Sequence, residues 1–217
     1  MNLVASPTEL TTSATDAMLA IECGGVLAWL WRKPTGDRWR VGLWSWVFGL
    51  LAFASLLGSV AHGLKLPTVW QTALWKPLNL SLGLLVALFL TGALFDWQGR
   101  VFAQRLIPLS IGLGGVFFGL TELFTGGFVI FVVYEAAVMA AAMAIYASLA
   151  ATRRLKGAGV VAAAICLNLA AAGVQASSFS VKAFVPFDHN GLFHLIQMAG
   201  IATLGLGLSL GMKPDAK

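Results

Sequence analysis

Three histidines stand among the 217 residues: His62, His189 and His194. Neutral imidazole is a good zinc ligand, and a catalytic zinc centre takes three protein ligands plus a water. Bound zinc draws the pKa of that water toward about 7 and makes it a nucleophile. A nearby carboxylate then serves as general base. Two carboxylates lie inside apolar runs, Glu22 and Glu135, and Ser59 lies close to His62 in sequence. With Zn2+ on His62, His189 and His194, and Glu135, Glu22 and Ser59 as catalytic residues, the set would hydrolyse an amide or an ester. Ser59 would orient the water or polarise the carbonyl. Spacing constrains this. His189 and His194 are five apart, about 140° around a helix, so they converge only if His189 sits in the loop or at the N-cap. Asn190 and His194, four apart, share a face.

The elements that must position these residues are greasy. Hydrophobic residues make up 59% of the chain and charged residues 11%, against about 25% charged in soluble domains. Mean hydropathy is +0.85. A soluble domain of this length has too little interior to hide so much apolar surface. That disfavours a soluble enzyme, a nucleic-acid module and a disordered tail. The net charge of +5 does not imply a nucleic-acid partner, because multi-span proteins keep Lys and Arg in cytoplasmic loops. A span needs about 20 apolar residues. Seven windows qualify: 16–31, 41–62, 71–95, 105–121, 127–150, 158–178 and 190–211. The expected fold is an all-α, seven-transmembrane-helix bundle forming a single domain over 1–217. The first window is the shortest and contains Glu22. The opening MNLVASPTELTTSAT has no basic residue and no short apolar core of a secretory signal, so the first span is expected to act as its own insertion signal. Cys23 and Cys166 fall in apolar runs and read as buried thiols. Spans five and six, rich in alanine, read as interior packing helices.

Loop charge sets the expected orientation. Arg32, Lys33, Arg38, Arg40, Arg100, Arg105, Arg153, Arg154, Lys156, Lys213 and Lys217 fall on one side, eleven in all, and only Lys65, Lys76 and Lys182 on the other. The C-terminus is therefore placed in the cytoplasm and the N-terminus outside. All three histidines and both deep glutamates then fall toward the outer face, together with Asn79, Glu122, Gln175, Asp188 and Gln197, while Asn168 lies nearer the middle of its span. Asp96 and the arginines lie at the inner ends, where interfacial placement explains them. Ionisable groups within spans are costly and usually face a cavity, so a polar cavity in the outer leaflet is expected. Plainer readings stand beside this one. His62 is an interfacial side chain at a helix end, the histidines of span seven belong to a solvated cap with Asp188 or Asn190 as N-cap, and Glu22 pairs with an outer lysine.

The segments ASLLGSVAHG (54–63) and FDHNGLFHLIQ (187–197) resemble the CREST superfamily of seven-helix membrane hydrolases. That group includes alkaline ceramidases, adiponectin-receptor-like proteins and lysoplasmalogenases. Its members show Ser-xxx-His on the second helix and His-xxx-His on the seventh, with three zinc-binding histidines assisted by a serine and an aspartate. His62 matches the second-helix ligand and His194 the final one. Gly58 stands four before His62, Asn190 stands four before His194, and no aspartate opens span three. The resemblance implies zinc-dependent hydrolysis of a ceramide-like membrane lipid. The opening TELTTSATDAML looks like a bacterial branch of such proteins, which implies a multi-pass protein of the inner cell membrane. A transporter or ligand binder using the same cavity is the main alternative, with His/Glu pairs relaying protons. A b-type haem on His62 and His194 is a further one. Retinal is disfavoured because span seven has no lysine.

Overall fold

A computed structural model describes residues 2–35, 37–124 and 127–212. Its elements are α1 (Pro7–Arg32), α2 (Arg38–Gly63), α3 (Thr68–Gln98), α4 (Arg100–Leu123), α5 (Gly127–Ala151), α6 (Ala158–Gln175), β1 (Val181–Lys182), β2 (Pro186–Phe187) and α7 (His189–Leu210). The seven helices make an all-helical bundle. All but α1 are long and apolar enough to cross a membrane.

Helix α1 begins nine residues before the expected window. The Ser6 side chain accepts from Glu9 N, and Pro7 occupies the first helical position. Ser6-Pro7-Thr8-Glu9 has the Ser-x-x-Glu order of a capping box, with proline where its missing N–H costs nothing. The first half of α1 is polar, so a search for apolar runs passes over it. The connection expected around Arg100 and Arg105 is absent, because Gly99 alone joins α3 to α4 and both arginines ride on α4. Gly99 has φ +87°, a conformation that a side chain disfavours and glycine tolerates. Gly157, at φ +86°, caps the start of α6 in the same way. Lys213 and Lys217, counted above with the cytoplasmic side, lie outside the described residues.

Helices α1, α2, α3, α5, α6 and α7 pack in that order as a closed ring, and α4 lies outside it against α3 and α5. Consecutive helices alternate in direction. The starts of α1, α3, α5 and α7 therefore share one end with the termini of α2, α4 and α6. That end holds all three histidines. The opposite end carries Arg32, Lys33, Arg38, Arg40, Arg100, Arg105, Arg153, Arg154 and Lys156. At the histidine end, the chain before α1 runs beside the α2–α3 connection, with Val4 N donating to Gly63 O and Lys65 N to Asn2 O. Strands β1 and β2 form a short antiparallel ribbon leading into α7.

The buried centre is built from Leu19 of α1, Trp44 and Phe48 of α2, Val86 of α3, Tyr146 of α5, Ile165 of α6 and Leu204 and Leu208 of α7. The alanine-rich helices are not the innermost ones. Two-thirds of the apolar stretch of α3 is buried, against a third for α5 and less for α6. Glycine and alanine here let neighbours approach at particular points. Gly200 of α7 faces the Asn168 amide of α6, and Gly207 faces Val161. Cys23 is buried, whereas Cys166 is exposed on the outer surface of α6.

At the arginine end, Arg40 and Asp96 are buried as a bidentate pair. Arg40 Nε donates to Asp96 Oδ1 at 2.7 Å and Nη2 donates to Oδ2 at 2.8 Å. Tyr146 Oη donates to Oδ2 at 2.8 Å, and Arg40 Nη1 donates to Leu208 O at 3.2 Å. Asp96 and Arg40 are thus not merely interfacial, as their position in sequence implied. Four helices, α2, α3, α5 and α7, meet on this one ion pair.

Candidate functional site

The ring, together with the end of α4, lines a partly open cavity of about 580 Å³. Toward the histidine end its wall is polar, with Asp16, Ser55, His62, Asn79, Asn190 and His194; deeper in, it is Val47, Phe48, Leu51, Leu85, Phe89 and Leu204. Such a volume falls in the range of small-molecule sites. The gradient from polar to apolar along its length suits an amphiphile.

Helix α1 supplies most of the polar partners. Thr8, Thr11, Thr12, Thr15 and Asp16 recur at three- and four-residue steps, so they form one stripe on a helix. Thr12, Thr15 and Asp16 are all buried. Asp16 Oδ1 stands 3.3 Å from His194 Nε2, and Thr15 Oγ1 stands 3.0 Å from His194 Nδ1. His194 is buried as well. Both ring nitrogens of one imidazole are thereby engaged by neighbouring residues of α1. Gly58 of α2 lets the carboxylate into this position: a Cβ there would come within 2.7 Å of Asp16 Oδ2. Beside it, His62 Nδ1 meets Glu9 Oε2 at 2.7 Å, and the His62 ring packs edge-on against Trp75 at 5.6 Å between centroids. Asp188 is the N-cap of α7: its Oδ1 accepts from Gly191 N at 2.9 Å and from Thr12 Oγ1 at 3.1 Å. That cap fixes the start of α7 against α1 and so sets the position of His194.

The structure brings together some of the expected residues and separates others. His62, His194 and Glu135 line the cavity; His189, Glu22 and Ser59 do not. His189 is the first residue of α7, inside the helix. It therefore keeps the five-residue angular offset from His194 that the spacing dictates. Ser59 turns toward α1, where Ser13 Oγ donates to its carbonyl at 2.7 Å and lies 3.3 Å from its Oγ. Glu22 lies about four turns into α1 and faces a shallow hollow with Met18, Ile21, Met198 and Ala202. Glu135 sits on α5, across the ring from α1. The serine that does line the cavity is Ser55, which shares a face with Gly58 and His62.

Among the described residues, no three His, Cys, Asp or Glu side chains gather closely enough to hold a metal ion. Of the three histidines expected to bind zinc, His62 and His194 share the cavity, and His189 does not line it. Asp16 is the residue that reading the sequence missed. Its signal was the Thr/Asp stripe of α1, which predicts a helical face with a polar partner.

Residues 11–213 match the family described as Family of unknown function (DUF6962). The match spans nearly the whole chain, and the protein belongs to that family. No curated protein and no solved structure matches it.

Proposed function

We propose that this member of DUF6962 is a multi-pass membrane protein that hydrolyses an amide or ester bond of a single-chain lipid. The chain crosses the bilayer seven times in this reading, with α1 as the least apolar span. The arginine end faces the cytoplasm, in keeping with its excess of basic residues, and the histidine end faces outward. Exposed Val101, Leu109, Ile111, Val116 and Leu123 on α4 suit contact with lipid.

The observation that carries the hydrolase reading is the buried Asp16–His194 contact at the polar end of an otherwise apolar cavity. An acyl chain would lie along Leu51, Leu85, Phe89 and Leu204, which brings its carbonyl up to that pair. The Asp16 carboxylate takes the proton of an attacking water, and His194 steadies the charge on Asp16. The proton then passes to the leaving nitrogen or oxygen, so one water is consumed and an acid plus an amine or alcohol is formed. Ser55, Asn79 and Asn190 offer O–H and N–H donors along the same wall for the developing oxyanion.

Dodecanoic acid release from mono-dodecanoyl glycerol and N-dodecanoyl ethanolamine, measured with purified protein in liposomes, tests this. The wild type is expected to release the acid, with Asp16→Asn and His194→Ala slowed about 100-fold or more, as loss of general acid–base catalysis implies. No release by the wild type, or equal release by all three, would contradict it. The zinc content of the same preparations, with His62→Ala added, reports whether the metal accompanies the site.

One observation favours a second reading, a ligand binder or transporter without chemistry. Both nitrogens of His194 already have protein partners, which suits a pair that holds a ligand or relays a proton. In that case proton-linked uptake into vesicles is retained and acid release is absent.

A further inference from the structure

Opposite the Asp16–His194 wall stands a carboxylate that the hydrolytic chemistry does not use. Glu135 lines the cavity, and its Oε2 is buried without a hydrogen-bond partner. A buried carboxylate oxygen left unpaired is costly, and such groups are ordinarily paired or hydrogen-bonded. No lysine or arginine is among the cavity-lining residues. The two lining histidines are committed elsewhere, His62 to Glu9 and His194 to Asp16 and Thr15. Among the described residues, the cavity therefore offers Glu135 no cation.

We propose that the missing partner is the protonated amine of an amphiphilic ligand, so that the cavity selects single-chain lipids bearing an ammonium group. This deepens the cavity reading above and rests on it. An ammonium carries three N–H donors and no acceptor. Glu135 supplies the charge. Asn168, one helix away on α6, lines the same cavity; its Nδ2 donates to Ala164 O, which leaves Oδ1 as an acceptor. The depths agree: Glu135 is about 12 Å along α5 from its start at the histidine end, and Asn168 about 10 Å from the corresponding end of α6, at 1.5 Å per residue. Phe131 lies one turn before Glu135 on the cavity-lining face, where an aromatic ring favours a cation. An anionic headgroup would instead meet two carboxylates, Asp16 and Glu135, and no fixed positive charge.

The experiment compares three probes of equal chain length, dodecylamine, dodecanol and dodecanoate. Each is titrated calorimetrically into protein in phosphatidylcholine nanodiscs, with empty nanodiscs subtracted. The wild type is expected to bind dodecylamine at least about tenfold more tightly than dodecanol, and dodecanoate most weakly. Glu135→Gln is expected to bring dodecylamine to the dodecanol value while leaving dodecanol unchanged, and Glu135→Asp to restore part of the preference. Equal binding of amine and alcohol by the wild type overturns the ammonium assignment and leaves the cavity reading standing. A preference that survives Glu135→Gln overturns it too. Binding of none of the three probes overturns both readings. The wild-type comparison needs no variant, so a poorly folding substitution does not blunt the test.

Discussion

The two ends of the bundle use the same ingredients differently. At the arginine end, a carboxylate, a guanidinium and a phenol form the Asp96–Arg40–Tyr146 cluster, with contacts of 2.7 and 2.8 Å and a further bond to Leu208 O. At the histidine end, a carboxylate, an imidazole and a hydroxyl form the Asp16–His194–Thr15 group, with the carboxyl–imidazole contact at 3.3 Å beside a cavity. The first cluster has bidentate geometry and ties four helices together. The second is held mainly by α1 and leaves open space beside it. Buried ion pairs are weak evidence of net stabilisation, but removing one partner leaves an uncompensated charge. The cluster at the arginine end therefore reads as a structural lock and the one at the histidine end as a site.

That contrast is broken most severely at the lock. Asp96→Ala strands Arg40 inside the bundle and is expected to cost about 3–5 kcal/mol, seen as a large fall in thermal unfolding temperature in detergent. Tyr146→Phe, which removes one hydrogen bond to Asp96, should cost about 1 kcal/mol. At the other end the order inverts. His194→Ala is expected to leave a cooperative unfolding transition near that of the wild type while removing acid release or ligand binding. If His194→Ala unfolds the protein as badly as Asp96→Ala, the two ends are alike and the contrast is lost.

Smaller changes sharpen the distinction within the histidine end. Gly58→Ala places a methyl against the Asp16 carboxylate. Displacing that carboxylate should lower the rate about tenfold or more, with little change in helix content by circular dichroism. The smallest effect is expected at Ser59→Ala, whose hydroxyl meets Ser13 and does not line the cavity: stability shifts by less than about 1 kcal/mol and kinetics match the wild type. Ser55→Ala, on the cavity wall, is the matched control and should slow the reaction. Equal kinetics for the two serine variants would remove Ser55 from the site.

The helices were legible in the sequence because apolar runs long enough to span a bilayer report themselves directly. Six of the seven windows correspond to helices that are apolar enough to cross a membrane. What runs of hydrophobicity hide is polar helix, and the first half of α1 is that case. Its Thr/Asp stripe carries period rather than hydropathy, and its capping box marked the start. That polar half carries Asp16 and puts Glu22 about four turns into the helix. Depth along the chain did bring His62, His194 and Glu135 to one cavity, since alternating helices return to the same end. Depth says nothing of rotation about a helix axis, which is why Ser59 and Ser55, one turn apart, exchange roles. Arg40 and Asp96 were also illegible as a pair, being 56 residues apart. Their positions near helix ends resemble those of any interfacial charge.

Photolabelling tests the central claim, that a lipid chain occupies the space behind the Asp16–His194 pair. A dodecyl chain bearing a diazirine is equilibrated with protein in liposomes, irradiated, and the labelled residues are located by mass spectrometry. The account predicts saturable labelling of Phe48, Leu51, Leu85, Phe89 and Leu204, competed away by unreactive dodecanol. Labelling confined to outward residues of α4 such as Leu109 and Val116, and unaffected by competitor, would contradict it.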